Sequence, residues 1–327
     1  MSPRRSGFTL VEMLVALGII LILASLTVAF LPALNDRQRA TQGASQVQNA
    51  LDTARHRALR DGSPRGVRLV VDATTASGGS AATTLQFIEQ PEDFTGGNAA
   101  VTAVNSATTP PTATVQLTGA PDLFGGFGPG SSAYWAVQPG DYFVLGGTNA
   151  FLIVGGPTSS TAGGTTGDTF TINAQGSATM ATVSSPTPAY AILRAPRVMT
   201  GDDPMQLPDK VGVDLAANRS VLSADSHGGQ AYYDILFDPS GRLLRQGLIN
   251  GKVILWIRDI TDANMGGDQT LLTVYARSGL VVPAQADPGP NNDFNNSVAP
   301  TGALPVYSYS DGSTPYTYAL QGQGSGM

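Results

Sequence analysis

From Met13 to Leu31 the chain carries no charged residue. A stretch of that length, wound as a helix rising ~1.5 Å per residue, is enough to cross a bilayer core of ~30 Å. This feature limits the fold more than any other, because such a helix must lie in a membrane or in the core of an assembly. Arg4 and Arg5 precede the run, and Glu12 is the one ionisable group at its head. A carboxylate there costs roughly 2.5–3.5 kcal/mol at mid-membrane and less nearer the interface, so an intramembrane acid is a functional hypothesis by default. The run is longer than the roughly 7–15 residues of a secretory h-region, and no A-x-A site ends it, so it does not read as a cleaved signal. The positive-inside rule puts Arg4 and Arg5 in the cytoplasm and everything after Leu31 outside. An ordinary signal anchor would explain the run and the arginines but gives no reason for Glu12.

Ser6-Gly7, followed by Phe8-Thr9-Leu10-Val11-Glu12-Met13-Leu14, resembles the prepilin leader of type IV pilins and type II secretion pseudopilins. A basic leader, Gly, Phe, Glu at fixed spacing and an apolar helix together make the match specific. The resemblance implies that prepilin peptidase cuts after Gly7, that Phe8 is then N-methylated, and that Glu12 guides assembly. It implies as partners other pilin or pseudopilin subunits and the inner-membrane assembly platform. It also implies a single-pass protein of the inner (cytoplasmic) membrane, with its N-terminus in the cytoplasm and its head in the periplasm, later carried in a filament. The chemistry of Glu12 follows from charge. A cut after Gly7 creates an ammonium on Phe8 about one helical turn from the carboxylate. The two could pair within a chain or between packed subunits, and either pairing lowers the cost of two charges in a low dielectric. The second would also set the axial register between subunits.

Charged residues are 13% of the chain, about half the usual share, and they are unevenly placed. Residues 36–68 carry seven Arg against three Asp, a net of +4, whereas residues 69–327 carry nine basic and twenty acidic groups, a net of −11. An acidic head argues against nucleic-acid binding through a broad basic patch. There is no Cys, so neither a disulfide nor a thiolate metal site is available.

The expected fold class is α+β: a long N-terminal helix, transmembrane in its first half and amphipathic in its second, packed on an antiparallel β head with an inserted all-β subdomain. Residues 1–7 form the leader and 8–60 the helix, of which 8–31 span the membrane. Val47, Leu51, Ala54 and Ala58 recur at helical spacing and line one face. Asp61-Gly62-Ser63-Pro64 supplies a stop, and Pro32 is a site for a kink or a mild bend. Residues 61–72 and 189–283 read as the head. Its strands are expected at Gly66 to Val71, Tyr190 to Arg194, Val211 to Leu215, Tyr232 to Phe237, Lys252 to Arg258, Leu271 to Ala276 and Gly279 to Val282. Asp238-Pro239-Ser240-Gly241 is a strong turn. The C-terminal pattern resembles minor pseudopilins of the H type. Residues 73–188 read as an insertion, with strands at Leu85 to Glu89, Tyr134 to Val137, Tyr142 to Leu145, Phe151 to Val154 and Thr169 to Ile172, in a small barrel or sandwich. Residues 284–327 read as a flexible tail in which Val306 to Tyr309 and Tyr316 to Tyr318 could close a hairpin with tyrosines on one face, either an edge hairpin covering the sheet or an aromatic contact patch for a partner.

No nucleotide, zinc-protease or hydrolase motif is present, and no cofactor is implied. The chain reads as non-enzymatic. His56 reads as solvated or interfacial and His227 as part of an exposed loop. Asp262, Asn264, Gly267 and Asp268 partly match a calcium loop, but Thr273 stands where a bidentate Glu belongs. A β-hairpin loop is the simpler reading. Two functional classes follow: a structural filament subunit, with a minor type II secretion pseudopilin favoured over a type IV pilus subunit, and a pilin-anchored adhesin whose inserted β domain binds a ligand.

Overall fold

The computed structural model describes residues 10–72, 81–119, 123, 135–146, 149–162, 165–173, 190–215, 224–227, 230–244, 251–261 and 269–286. One helix, α1 (Leu10–Asp61), opens the chain, and a mostly β head follows. Gly62 ends the helix at φ +64°, and its N–H donates to the Ala58 carbonyl at 3.1 Å. A left-handed glycine there satisfies a carbonyl that the last turn leaves open.

Two strands come next, β1 (Arg65–Asp72) and β2 (Ala81–Glu89). The chain then leaves for a second sheet made of β3 (Asn98–Asn105), β4 (Thr112–Thr118), β5 (Tyr142–Leu145), β6 (Asn149–Ala162), β7 (Thr165–Asn173) and β8 (Tyr190–Leu193). It returns through β9 (Arg197–Val198), β10 (Met205–Gln206), β11 (Val211–Asp214), β12 (Ala224–His227), β13 (Gln230–Phe237), β14 (Leu243–Leu244), β15 (Lys252–Asp259), β16 (Thr270–Tyr275) and β17 (Val281–Gln285). The larger sheet is antiparallel with order β12-β13-β1-β2-β11-β15-β16-β17; β9 and β10 also pair with β2, and β14 with β13.

The second half of α1 lies across this sheet. Val47, Leu51, Ala54 and Ala58 are all fully buried there, as their spacing requires, and the buried stripe begins further back, at Ala40 and Ala44. They meet Val67, Leu69, Leu85, Val213, Ile235, Phe237, Val253, Leu255 and Val274 in one core. Alanines dominate the helix side, which lets the backbone sit close to the strands. Gly43 marks a close approach: a Cβ there would stand 2.6 Å from Val211 Cγ1.

The smaller sheet has order β3-β4-β7-β6-β5-β8. A bridge between Phe94, just before β3, and Ile192 in β8 joins its two ends through two N–H to carbonyl bonds of 2.9 Å. The sheet thus curls into a small barrel-like ring around Phe143, Phe151, Phe170, Ile153, Ile172 and Val115. Phe143 and Phe170 pack edge to face with centroids 5.6 Å apart, the arrangement that aromatic quadrupoles favour.

Several boundaries differ from the sequence reading. Leu85 to Glu89 belongs to β2, which pairs with β1 and β11 in the larger sheet, so the expected insertion at 73–188 starts too early. It also stops too early, because Tyr190 to Leu193 pairs with β5 in the smaller sheet rather than joining the head. Strands β3 and β4 lie in the Ala/Thr-rich stretch, whose low hydrophobicity hid their alternation. Trp135-Ala136-Val137 forms no strand; Ala136 N donates to the Leu123 carbonyl at 2.9 Å and Val137 fills the ring core. Gly279 sits in a turn at φ +64°, and β17 runs past Pro283 to Gln285, so the tail begins later than residue 284. Pro283 is tolerated because β17 is the last strand of the sheet path among the described residues.

The ring leaves and rejoins the sheet at one point, since Glu89 pairs with Arg197. Asp141, fully buried, holds this neck. Its carboxylate accepts from Ala195 N and Gln138 N, each at 2.8 Å, and from Arg197 Nη2 at 3.0 Å. Arg197 also donates to the carbonyls of Trp135 and Ala136. Burial pushes the Asp141 carboxyl up, against the pull of Arg197 and the two backbone donors, and burial pushes Arg197 down. Removing one partner leaves the other buried and uncompensated, so Asp141→Asn should cost about 3 kcal/mol in the unfolding of the ring, measured by urea denaturation.

Candidate functional site

The first half of α1 contrasts with the second. Leu10, Val11, Met13, Leu14, Val15, Leu17, Ile19, Ile20, Leu21, Ile22 and Leu23 are between 53% and 80% exposed. They occupy every side of the helix, and a helix apolar all round calls for burial in lipid or among other helices. Ser25, also exposed, donates its hydroxyl to the Ile22 carbonyl at 2.8 Å, which pairs the polar group within the helix itself. Glu12 stands in the first turn of α1, exposed among these apolar side chains. An acid in the first turn also favours the helix through its dipole. Gly7 and Phe8 lie outside the described residues. Among the described residues no helix is long and apolar enough to cross a membrane.

The basic cluster at the end of α1 is used within the chain. Arg57 pairs with Asp202 and lies 4.3 Å over the Phe87 ring. Arg55 Nε donates to the Ser278 carbonyl at 3.0 Å. Arg65 pairs with Asp61 at 3.3 Å and with Glu89. Arg68 makes two 2.7 Å bonds to Asp234 and lies 3.7 Å over Tyr232. The positive helix end and first strand therefore dock on the acidic head, which explains the uneven charge. The asymmetry was legible in the sequence, but the partners, up to 223 residues away, were not.

His56 is exposed on α1. His227 is a strand residue of β12 opposite Gln230, not part of a free loop. The calcium candidates Asp262, Asn264 and Asp268, with Gly267, lie outside the described residues. Thr273 is a buried ladder residue opposite Ile254 in β15, so it occupies no loop-end ligand position. Among the described residues no three His, Cys, Asp or Glu side chains gather as a metal site. An apolar cleft between α1 and β2, lined by Ala50, Val67, Leu85, Gln86, Phe87 and Met205, contains no titratable side chain. The tyrosine-rich candidate hairpin at Val306 to Tyr318 lies outside the described residues.

Residues 2–28 match the family described as the prokaryotic N-terminal methylation motif. The match covers the leader, Glu12 and most of the apolar run, and it stops before the head. It supports a type IV pilin-like prepilin, a structural rather than a catalytic class, processed by prepilin peptidase and assembled with other pilin subunits. No curated protein and no solved structure matches the chain.

Proposed function

We propose that the chain is a structural subunit of a pseudopilus or pilus, and within that class a minor pseudopilin of type II secretion. One combined observation carries this reading: the methylation motif at residues 2–28 opens a helix exposed and apolar on all sides at its start, whose far half is buried on a β head. In this reading the peptidase cuts after Gly7 and Phe8 becomes the methylated N-terminus. The helix anchors the subunit in the inner membrane with the head in the periplasm. The assembly platform then moves it into a filament, where the apolar half packs among its neighbours. Glu12 pairs with the Phe8 ammonium of an adjacent subunit and fixes the register. N-terminal mass spectrometry of the mature protein should find a methylated Phe8; a start at Met1 or beyond Leu31 would sink the assignment.

Glu12→Val removes the one charge and leaves the apolar helix intact. Membrane insertion should be unchanged or improved, because an acid costs free energy in lipid. Incorporation into filaments should fall by about tenfold or more, as expected for a lost pairing of at least ~1.4 kcal/mol. Pull-down of assembled fibres reads this, and normal incorporation would count against the charge-pairing role.

A second reading, a pilin-anchored adhesin, draws support from the ring of β3 to β8, which has its own core and a single neck. If it is right, filaments lacking the ring should form normally and lose adherence.

A further inference from the structure

The ring of β3 to β8 leaves the head beside one end of α1, and the fold determines which end. At ~1.5 Å per residue the 52-residue helix puts Asp61 roughly 75 Å from Leu10, at the end far from the apolar start. β2 runs beside α1 toward that same end. Ala50 and Leu85 line one cleft, Arg57 lies 4.3 Å over the Phe87 ring, and Gln90 N donates to the Pro64 carbonyl at 3.1 Å. These contacts advance in step along both elements. Arg65 then joins Asp61 of the helix to Glu89, whose ladder partner is Arg197. The chain thus enters the ring after Gln90 and returns at Pro196, both beside the C-terminal end of α1.

The ring does not lie back along the head. Among the described elements, no strand of the ring packs along α1 or along a strand of the larger sheet, and the two bodies have separate cores. Nor is the neck a loose tether. Gln90 Nε2 donates to the Arg194 carbonyl at 3.3 Å, across the two chain segments of the neck. The buried Asp141 carboxylate accepts from Ala195 N at 2.8 Å and from Arg197 Nη2 at 3.0 Å, and Arg197 holds the carbonyls of Trp135 and Ala136. Arg68 Nη2 donates to the Pro196 carbonyl at 3.0 Å from the sheet side. Bending the neck would leave a buried charge without its partners, which is costly. Residues 91–195 therefore stand as a fixed body beyond the end of the head that points away from the apolar helix start.

For a filament subunit, as read above, this placement restricts the neighbours. Subunits drawn from a membrane by apolar N-terminal helices enter at the membrane end, all pointing the same way. Each turns the C-terminal end of its α1 toward those that entered before it. In this chain that end carries the ring, so an earlier subunit of like polarity meets a rigid body instead of an open head. We propose that this chain occupies the membrane-distal end of its filament, with pilin-like neighbours on its membrane-facing side alone, because the ring excludes a subunit above it.

The test is immunogold electron microscopy of filaments still anchored in membrane, with antibody raised against the full chain. Gold should lie at the end away from the membrane, one cluster per filament whatever its length. Gold along the shaft or at the membrane end overturns the distal placement and leaves the filament reading intact. Filaments free of gold overturn both. A chain joining Gln90 to Pro196, with its cooperative transition retained by circular dichroism, tests the cause. Its gold should spread along the shaft, since nothing then blocks the distal side. Gold still confined to the distal end overturns exclusion by the ring.

Discussion

Leu51→Asp should unfold the head. Leu51 is fully buried at the centre of the α1–sheet core, among Val47, Ala54 and the strands beneath them. The substitution removes a well-packed side chain and places an uncompensated carboxylate in apolar surroundings. The sum is about 4 kcal/mol or more, against a total stability of about 5–15 kcal/mol for a typical domain. Thermal denaturation of a chain beginning near Asn35 should show the cooperative transition lost or lowered by well over ten degrees. Ser45→Asp, exposed on the same helix, should shift stability by no more than about 0.5 kcal/mol. A Leu51→Asp protein melting within a degree of the parent would mean that the helix does not dock by this face.

Excising the ring should separate the two sheets cleanly, provided the cut respects the neck. Because Glu89 and Arg197 are direct ladder partners, a chain joining Gln90 to Pro196 through a short Gly/Ser bridge keeps β2 and β9 in register. It also keeps the Pro196 carbonyl that accepts from Arg68 Nη2 at 3.0 Å. Circular dichroism should show one cooperative transition for the remaining sheet. Excising residues 73–188 instead removes β2, whose Leu85 is buried in the main core and whose backbone joins β1 to β11. That deletion should abolish the transition, since it leaves two central strands without their partner. If both deletions fold equally well, β2 contributes little and does not join β1 to β11.

These results depend on different kinds of information. The N-terminal helix, its apolar start and the docking face at Val47, Leu51, Ala54 and Ala58 were legible in the sequence, because local periodicity alone determines which sides of a helix are apolar. The position of Glu12 was legible for the same reason: one charge in an uncharged run needs no partner to be noticed. Tight turns such as Asp238 to Gly241 were equally plain. There the Asp238 carboxylate accepts from Ser240 N at 2.8 Å and Arg242 N at 2.9 Å, a closure made by neighbouring residues. Strand membership was not legible. β2 and β8 look alike as short apolar runs, and only long-range hydrogen bonding assigns one to the larger sheet and the other to the ring. Ion pairs such as Arg57 with Asp202, Arg197 with Asp141 and Arg258 with Asp214 were hidden for the same reason. Sequence showed a basic helix end and an acidic head, while the tertiary structure chose which charges meet, because that choice depends on where the sheet folds rather than on any residue's neighbours in the chain.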